Sequence, residues 1–302
     1  MSTPYHVAVI GLGAMGMGAA RSCLRAGLTT YGIDLSEQAR SQLQQAGAAA
    51  VMADARPLAE TLDAVLLLVV NATQVRRILL GDEGLARHLK PGTAIMVSST
   101  IAAEEASALA AELAQLGLPM LDAPVSGGAI KADAGEMTVM AAGSDAAFDK
   151  LAPVLDAVAG KLYRVGSEPG QGSTVKIIHQ LLAGVHIAVA AEAMALASKA
   201  GVSLDLMYDV VTHAAGNSWM FENRMPRVLT GDYQARSAVD IFVKDLTLVA
   251  DTAKALRFPL PLASTALNMF LGASNAGHGQ EDDSAVIKIF SGITLPGQEE
   301  QA

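Results

Sequence analysis

The chain has 302 residues, of which 51% are hydrophobic, 17% charged and only 4% aromatic, with a formal net charge of -9. That length allows two domains and a sizeable core, and a composition rich in alanine and leucine points to packed helices rather than a β-sandwich. An acidic chain without a basic cluster excludes nucleic acid and anionic membrane as partners, and the single Cys23 excludes an intrachain disulfide and a thiolate metal cluster and suits a reducing cytoplasm.

Residues 5–10 form the first predicted strand, and no basic region followed by an apolar stretch precedes it, so no secretory signal is expected. The strand breaks into Gly11, Leu12, Gly13, Ala14, Met15 and Gly16. Gly11 suits a tight turn, Gly13 lets backbone approach a pyrophosphate, and Gly16 lets the following helix pack close to the sheet with its N-terminus facing the phosphates. A helix over 14–26 and a second strand over 29–34 complete the context of a dinucleotide fingerprint. Asp34 ends that strand, where a carboxylate accepts hydrogen bonds from both ribose hydroxyls and repels a phosphate, so NAD is favoured over NADP. Asp34 is also a good N-cap for a helix starting at Leu35 or Ser36, and the two roles can coexist.

Alternation continues with a helix over 37–45, a short strand near Ala50, an apolar run over 64–70 that reads as a central strand, and a helix over 73–80. Strands over 93–98, 119–122, 137–142 and 162–165 follow, with helices over 103–115 and 146–158. From Gly170 the period is helical, with helices over 173–199, 204–213, 225–229, 241–256, 261–276 and 284–291. The expected architecture is α/β: a Rossmann NAD-binding domain over 1–166 and an all-α domain over 167–302, joined by a long helix, with disorder after residue 296. The longest apolar stretch, 181–197, contains His186 and Glu192 and is expected to be a buried helix, not a membrane span.

Lys176, His179 and Gln180 share one face of that long helix. Polar side chains there either snorkel or pair with a carboxylate, or they meet a ligand at the domain boundary. The run Asp122-Ala-Pro-Val-Ser126-Gly127-Gly128 follows a strand; its glycine amides and the Ser126 hydroxyl suit a carboxylate, and the same composition suits an ordinary tight turn. Lys244 either pairs with Asp240 four residues earlier or points at the cofactor. No grouping has metal-ligand spacing, so no metal is expected.

In order, the glycine run, the 122–128 run, Gly170-Gln-Gly-Ser-Thr-Val-Lys176 and Lys244-Asp-Leu resemble the β-hydroxyacid dehydrogenase family across nearly the whole chain. That family includes 3-hydroxyisobutyrate dehydrogenases and tartronate semialdehyde reductases. The resemblance implies NAD-dependent oxidation of a small hydroxy acid by a homodimer or homotetramer. It also implies that Lys176 is catalytic, that Ser126, Gly127 and Gly128 hold the substrate carboxylate, and that Thr100 and Lys244 lie along the nicotinamide. A base must touch the hydroxyl oxygen as hydride leaves the carbon, and burial beside a positive ring favours the neutral amine that Lys176 needs for this. Two departures stand out. Gln180, preceded by His179, replaces the family's asparagine, and Val70-Asn71 replaces Leu-Pro, which brings Asn71 into question as a polar contact near the nicotinamide.

Residues 176–186 and 216–223 are similar to the branch acting on L-threonate, which oxidises the C2 hydroxyl to 2-oxo-tetronate. The extra hydroxyls of a sugar acid need partners, and His179, Gln180, Asn217 and Ser218 are the candidates, with a packing role for His179 equally open. Tartronate semialdehyde reduction and 3-hydroxyisobutyrate oxidation are the alternatives within this chemistry. A non-catalytic dinucleotide-binding protein would have no use for Lys176 in its motif, and an imine reductase usually replaces that lysine.

Overall fold

The computed structural model describes residues 4–296, so the disorder expected after residue 296 lies outside the described residues. The chain forms two compact units, one ending at Lys176 and the other beginning at Ile177. The first carries β1 (His6–Ile10), β2 (Thr29–Ile33), β3 (Ala50–Met52), β4 (Ala64–Leu67), β5 (Ala94–Val97), β6 (Met120–Asp122), β7 (Val125–Ser126), β8 (Met137–Ala142) and β9 (Ala159–Gly166). Their order is β3-β2-β1-β4-β5-β6-β8-β7, with β9 beside β8. Pairings from β3 through to β6 are all parallel, and β8 meets β6 antiparallel. The order reverses between β1 and β4, which is the switch point where open parallel sheets bind ligands.

Helices α1 (Ala14–Arg25), α2 (Glu37–Gln45), α3 (Ala72–Leu80), α4 (Ala103–Gln115), α5 (Gly128–Ala134) and α6 (Asp145–Val158) complete this unit. The apolar strands are buried on both faces. Val7, Val9, Leu66 and Met96 join one core with Cys23 and Phe148, while Ala8, Ile10, Val65, Leu67, Ile95 and Val97 join another with Leu79 and Leu109. This is why 64–67 reads as an unbroken apolar run instead of an alternating one. Burial also pushes the Cys23 thiol up to about 12, so it is a packing residue rather than a reactive one.

Several boundaries differ from expectation for local reasons. β4 ends at Leu67, because beyond it the Val70 N–H donates to Gln74 Oε1 and Asn71 Oδ1 accepts from Gln74 N, capping α3 in place of sheet pairing. The turn expected over 126–128 is reduced to Gly127, because Ser126 closes β7 and Gly128 opens α5. Asp34 does not cap α2; Ser36 does, accepting from Ala39 N.

The second unit is helical. α7 (Gln171–Lys199) runs from the first unit into it, followed by α8 (Leu204–Thr212), α9 (Trp219–Thr230), α10 (Val239–Ala255) and α11 (Pro261–Ala273). α9 starts six residues before the expected 225, since Ser218 caps it and Pro226 is accommodated inside. The segment expected to be a helix over 284–291 is a 3-10 helix, Asp283–Ile289, whose first five residues are buried. By length and composition α7 could cross a membrane, with mean hydropathy 1.7, but 50% of that window is buried inside the protein. Its Ile177, Ile187, Ala191 and Met194 join Phe221, Phe242, Leu246 and Phe270 in the core of this unit.

Two ion pairs tie the 3-10 helix to α9. Arg224 holds the fully buried Asp283 through Nε–Oδ1 at 2.6 Å and Nη2–Oδ2 at 3.0 Å, and Arg227 holds Asp282. Removing one partner strands a buried charge, which typically costs about 3–5 kcal/mol. Arg224→Met is therefore expected to lower the stability of this unit by about that amount. Urea denaturation followed by the emission of Trp219, the single tryptophan, measures it. An unchanged midpoint would contradict the assignment.

Candidate active site

In a parallel sheet the loops after β1, β2, β4, β5 and β6 leave from one edge, and these loops carry most of the candidate residues of the first unit. Gly11 (φ 90) turns the chain after β1, its N–H donating to Ile33 O at 2.9 Å. A methyl at Gly16 would lie 1.7 Å from Gly11 O, so α1 passes closer to the turn than any side chain allows. Gly13 differs, because a methyl there would meet no protein atom within 4 Å. α1 also begins with no side-chain cap and no acidic residue in its first turn. An open cradle above an uncapped positive helix end fits a pyrophosphate, with Leu12, Ala14 and Met15 completing the run.

Asp34 is brought to this turn. Its Oδ2 accepts from Leu12 N at 2.6 Å and its Oδ1 from Ser36 N at 2.7 Å, so both oxygens are oriented and each retains a lone pair. Val70 and Asn71 follow β4, the neighbour of β1, and Asn71 Oδ1 serves as the cap described above. Thr100 follows β5 and is half-buried; beside it, the buried Ser99 Oγ has no hydrogen-bond partner within the protein. A buried orphan hydroxyl at the sheet's loop edge fits a polar cofactor group.

Ser126 is fixed by pairing with Thr138 across β7 and β8, and Gly127 (φ 127) and Gly128 (φ 71) both take the left-handed conformation. The segment that leads to them starts at a residue whose role the motif did not disclose. Asp122, fully buried at the end of β6, accepts from Gly170 N at 2.7 Å and Ser173 N at 2.8 Å through Oδ2, and from Ser173 Oγ at 2.7 Å through Oδ1. Burial pushes its carboxyl above the usual carboxylate range, against the opposing pull of these donors. The first turn of α7 is thus anchored to the sheet, and a methyl at Gly172 would lie 2.4 Å from Asp122 O and 2.6 Å from Met140 O. Lys176, 6% exposed, is three residues beyond Ser173, one turn up the anchored helix. The sequence signal for Asp122 is a charge closing an otherwise apolar strand, since a buried carboxylate demands donors.

In the second unit His179, Gln180 and Lys244 are brought together by Asp245, which is 2% exposed. Gln180 Nε2 donates to Asp245 Oδ2 at 2.5 Å, His179 Nδ1 lies 2.9 Å from Gln180 Oε1, and Lys244 Nζ lies 2.6 Å from Asp245 Oδ1. Asp240, the partner expected for Lys244 four residues earlier, instead accepts from Ser274 Oγ and Gln280 Nε2. Asn217 and Ser218 precede α9; Ser218 Oγ caps it by accepting from Phe221 N, whereas the buried Asn217 Oδ1 has no partner within the protein. Among the described residues no group of His, Cys, Asp and Glu could hold a metal ion.

Comparison with known proteins adds to this geometry. Residues 6–166 match the NAD binding domain of 6-phosphogluconate dehydrogenase, and residues 170–290 match the family described as NAD-binding of NADP-dependent 3-hydroxyisobutyrate dehydrogenase. The L-threonate dehydrogenase of Escherichia coli K12 is 71% identical over 97% of both chains, and that of Cupriavidus necator is 55% identical over 98% of this chain and 99% of the other. The crystal structure of a 3-hydroxyisobutyrate dehydrogenase from Salmonella typhimurium superposes with a TM-score of 0.92 at 70% identity, covering 95% of this chain and 100% of that one.

The anchoring of α7 predicts that Asp122→Asn, which places an amide where three donors converge, lowers kcat by about a hundredfold, the scale of a small misplacement of a catalytic group. The NAD dissociation constant is expected to stay unchanged, because the α1 turn is untouched. Unchanged kcat, or NAD affinity falling in step with it, would contradict the anchoring role.

Proposed function

Because the chain belongs to the β-hydroxyacid dehydrogenase family, as a 3-hydroxyisobutyrate dehydrogenase-like NAD-dependent oxidoreductase, we propose that it oxidises the C2 hydroxyl of L-threonate to 2-oxo-tetronate. The observation that carries the substrate is the 71% identity to an L-threonate dehydrogenase over 97% of both chains. NAD supplies the hydride acceptor. Gly11, Leu12, Gly13, Ala14, Met15 and Gly16 hold its pyrophosphate and Asp34 its adenosine ribose, while Val70, Asn71, Thr100 and Lys244 line its nicotinamide side.

On the substrate side, Ser126, Gly127 and Gly128 bind the carboxylate through the hydroxyl and the turn amides. Neutral Lys176 Nζ takes the C2 hydroxyl proton as the C2–H electron pair leaves, and in the reverse direction the ammonium returns that proton to the carbonyl oxygen. His179, Gln180, Asn217 and Ser218 serve the remaining hydroxyls; the unpartnered Asn217 Oδ1 suits a hydroxyl donor. A second reading, 3-hydroxyisobutyrate oxidation, is favoured by the 70% identity to the 3-hydroxyisobutyrate dehydrogenase of Salmonella typhimurium. It leaves these polar groups without hydroxyls to meet.

The assembly we favour is a homodimer or homotetramer. Ile178, Leu182, Val189 and Leu196 are all more than half exposed and share one stripe of α7, suited to a second copy of the chain. A cytoplasmic location suits the reduced, buried Cys23.

Lys176→Ala tests the chemistry: kcat for L-threonate is expected to fall by at least about a hundredfold, with NAD binding retained. Near-normal turnover would remove Lys176 from the mechanism. Asp34→Ala is expected to reduce the preference for NAD over NADP in the ratio of their kcat/KM values, and an unchanged ratio would leave Asp34 only its role in ordering the turn.

A further inference from the structure

The two carboxylate oxygens of Asp245 differ: Oδ2 accepts a hydrogen bond, whereas the buried Oδ1 makes an ion-pair contact with Lys244 and no hydrogen bond within the protein. Lys244 Nζ lies 2.6 Å from Oδ1, and an aspartate carboxylate can only accept hydrogen bonds. The Gln180 amide therefore has to turn its NH2 group to Asp245 Oδ2, as observed at 2.5 Å. Its Oε1, an obligate acceptor, is left facing His179 Nδ1 at 2.9 Å. A nitrogen that meets an obligate acceptor at this distance carries the hydrogen. In the neutral ring Nε2 then holds the lone pair.

We propose that Asp245 is a positioning residue that, through the Gln180 amide, locks His179 in its Nδ1–H tautomer, so that His179 Nε2 acts as an acceptor for a hydroxyl of the substrate. The use of that acceptor rests on the reading of the substrate as a polyhydroxy acid. Each hydroxyl needs an acceptor for its hydrogen; Lys176 Nζ serves the C2 hydroxyl alone, and backbone N–H groups cannot accept from the others. The relay gives a physical reason for Gln180: one of its N–H groups and its carbonyl oxygen are engaged within the protein, so it acts on the substrate through His179. It also explains an acidic residue with 2% exposure in α10 that contacts polar side chains of α7.

The test is proton–nitrogen correlation spectroscopy of the histidine rings in isotope-labelled, full-length protein, at a pH where the ring is neutral. The signal of His179 among the six histidines is identified by its loss in His179→Gln. Wild type is expected to show hydrogen on Nδ1 and a bare Nε2. Gln180→Met, similar in length but unable to accept at that position, is expected to release the ring to the Nε2–H form that free histidine favours. The same variant is expected to lose about tenfold in kcat/KM for L-threonate, the scale of one hydrogen bond, with a smaller loss for 3-hydroxyisobutyrate, which lacks the extra hydroxyls. A wild-type ring with hydrogen on Nε2 overturns the proposal, and this measurement needs no variant to fold. Equal losses for the two substrates overturn the selectivity role. Absence of L-threonate turnover by wild type with Nδ1–H intact would count against the substrate and not against the relay.

Discussion

The arrangement of the candidate site in the first unit depends on one buried carboxylate. Asp122 is fully buried at the end of a sheet strand, and it accepts from two backbone amides and a hydroxyl at the start of α7. Satisfying a buried carboxylate offsets a desolvation penalty of several kcal/mol, so the donors cannot drift away without a comparable loss. Their position sets the first turn of the helix, and the first turn sets where Lys176 emerges. The same strand runs on into the Ser126 turn, so one segment of seven residues governs both the group that would move a proton and the groups that would hold a carboxylate.

A second buried carboxylate, Asp245, does different work because its donors are side chains. Asp122 acts on backbone and so positions a helix, whereas Asp245 accepts from the Gln180 amide beside the Lys244 ammonium and so orients that amide toward His179. Neither residue needs to touch the substrate. At the other end of the chain the demand is for space: Gly11 and Gly16 let α1 close on the turn, and Gly13 leaves open the room above an uncapped helix end. The proposed NAD site would thus be built from missing side chains, and the proposed hydroxy-acid site around buried carboxylates held by partners from distant segments.

Much of this was legible in the sequence wherever one local rule dominated. The apolar runs over 5–10 and 64–70 read as strands, formed as 6–10 and 64–67, because both faces of the sheet are covered, and 37–45 and 103–115 read as helices from their period alone. Boundaries were lost where side chains compete with backbone, as with Asn71 and Gln74 closing β4 early, or where proline hides a helix interior, as with Pro226 in α9. The apolar segment over 284–291 reads as a helix, and the structure forms it as the narrower 3-10 helix Asp283–Ile289, tied to α9 by buried ion pairs. The family motifs drew attention to Lys176 and Ser126, yet not to why Asp122 opens that motif or why Asp245 follows Lys244. Both roles are long-range, spanning 51 residues from Asp122 to Ser173 and 65 from Gln180 to Asp245, and no periodicity carries such information.

The proposed reaction is the oxidation of L-threonate with NAD. The most direct measurement is NADH formation by the purified protein with NAD, comparing kcat/KM for L-threonate, D-threonate, L- and D-erythronate, D-glycerate and 3-hydroxyisobutyrate under one set of conditions. The account predicts the highest value for L-threonate, with marked discrimination against its stereoisomers and against 3-hydroxyisobutyrate. A higher value for 3-hydroxyisobutyrate or D-glycerate would contradict it, and would mean that His179, Gln180 and Asn217 serve the fold and not the substrate.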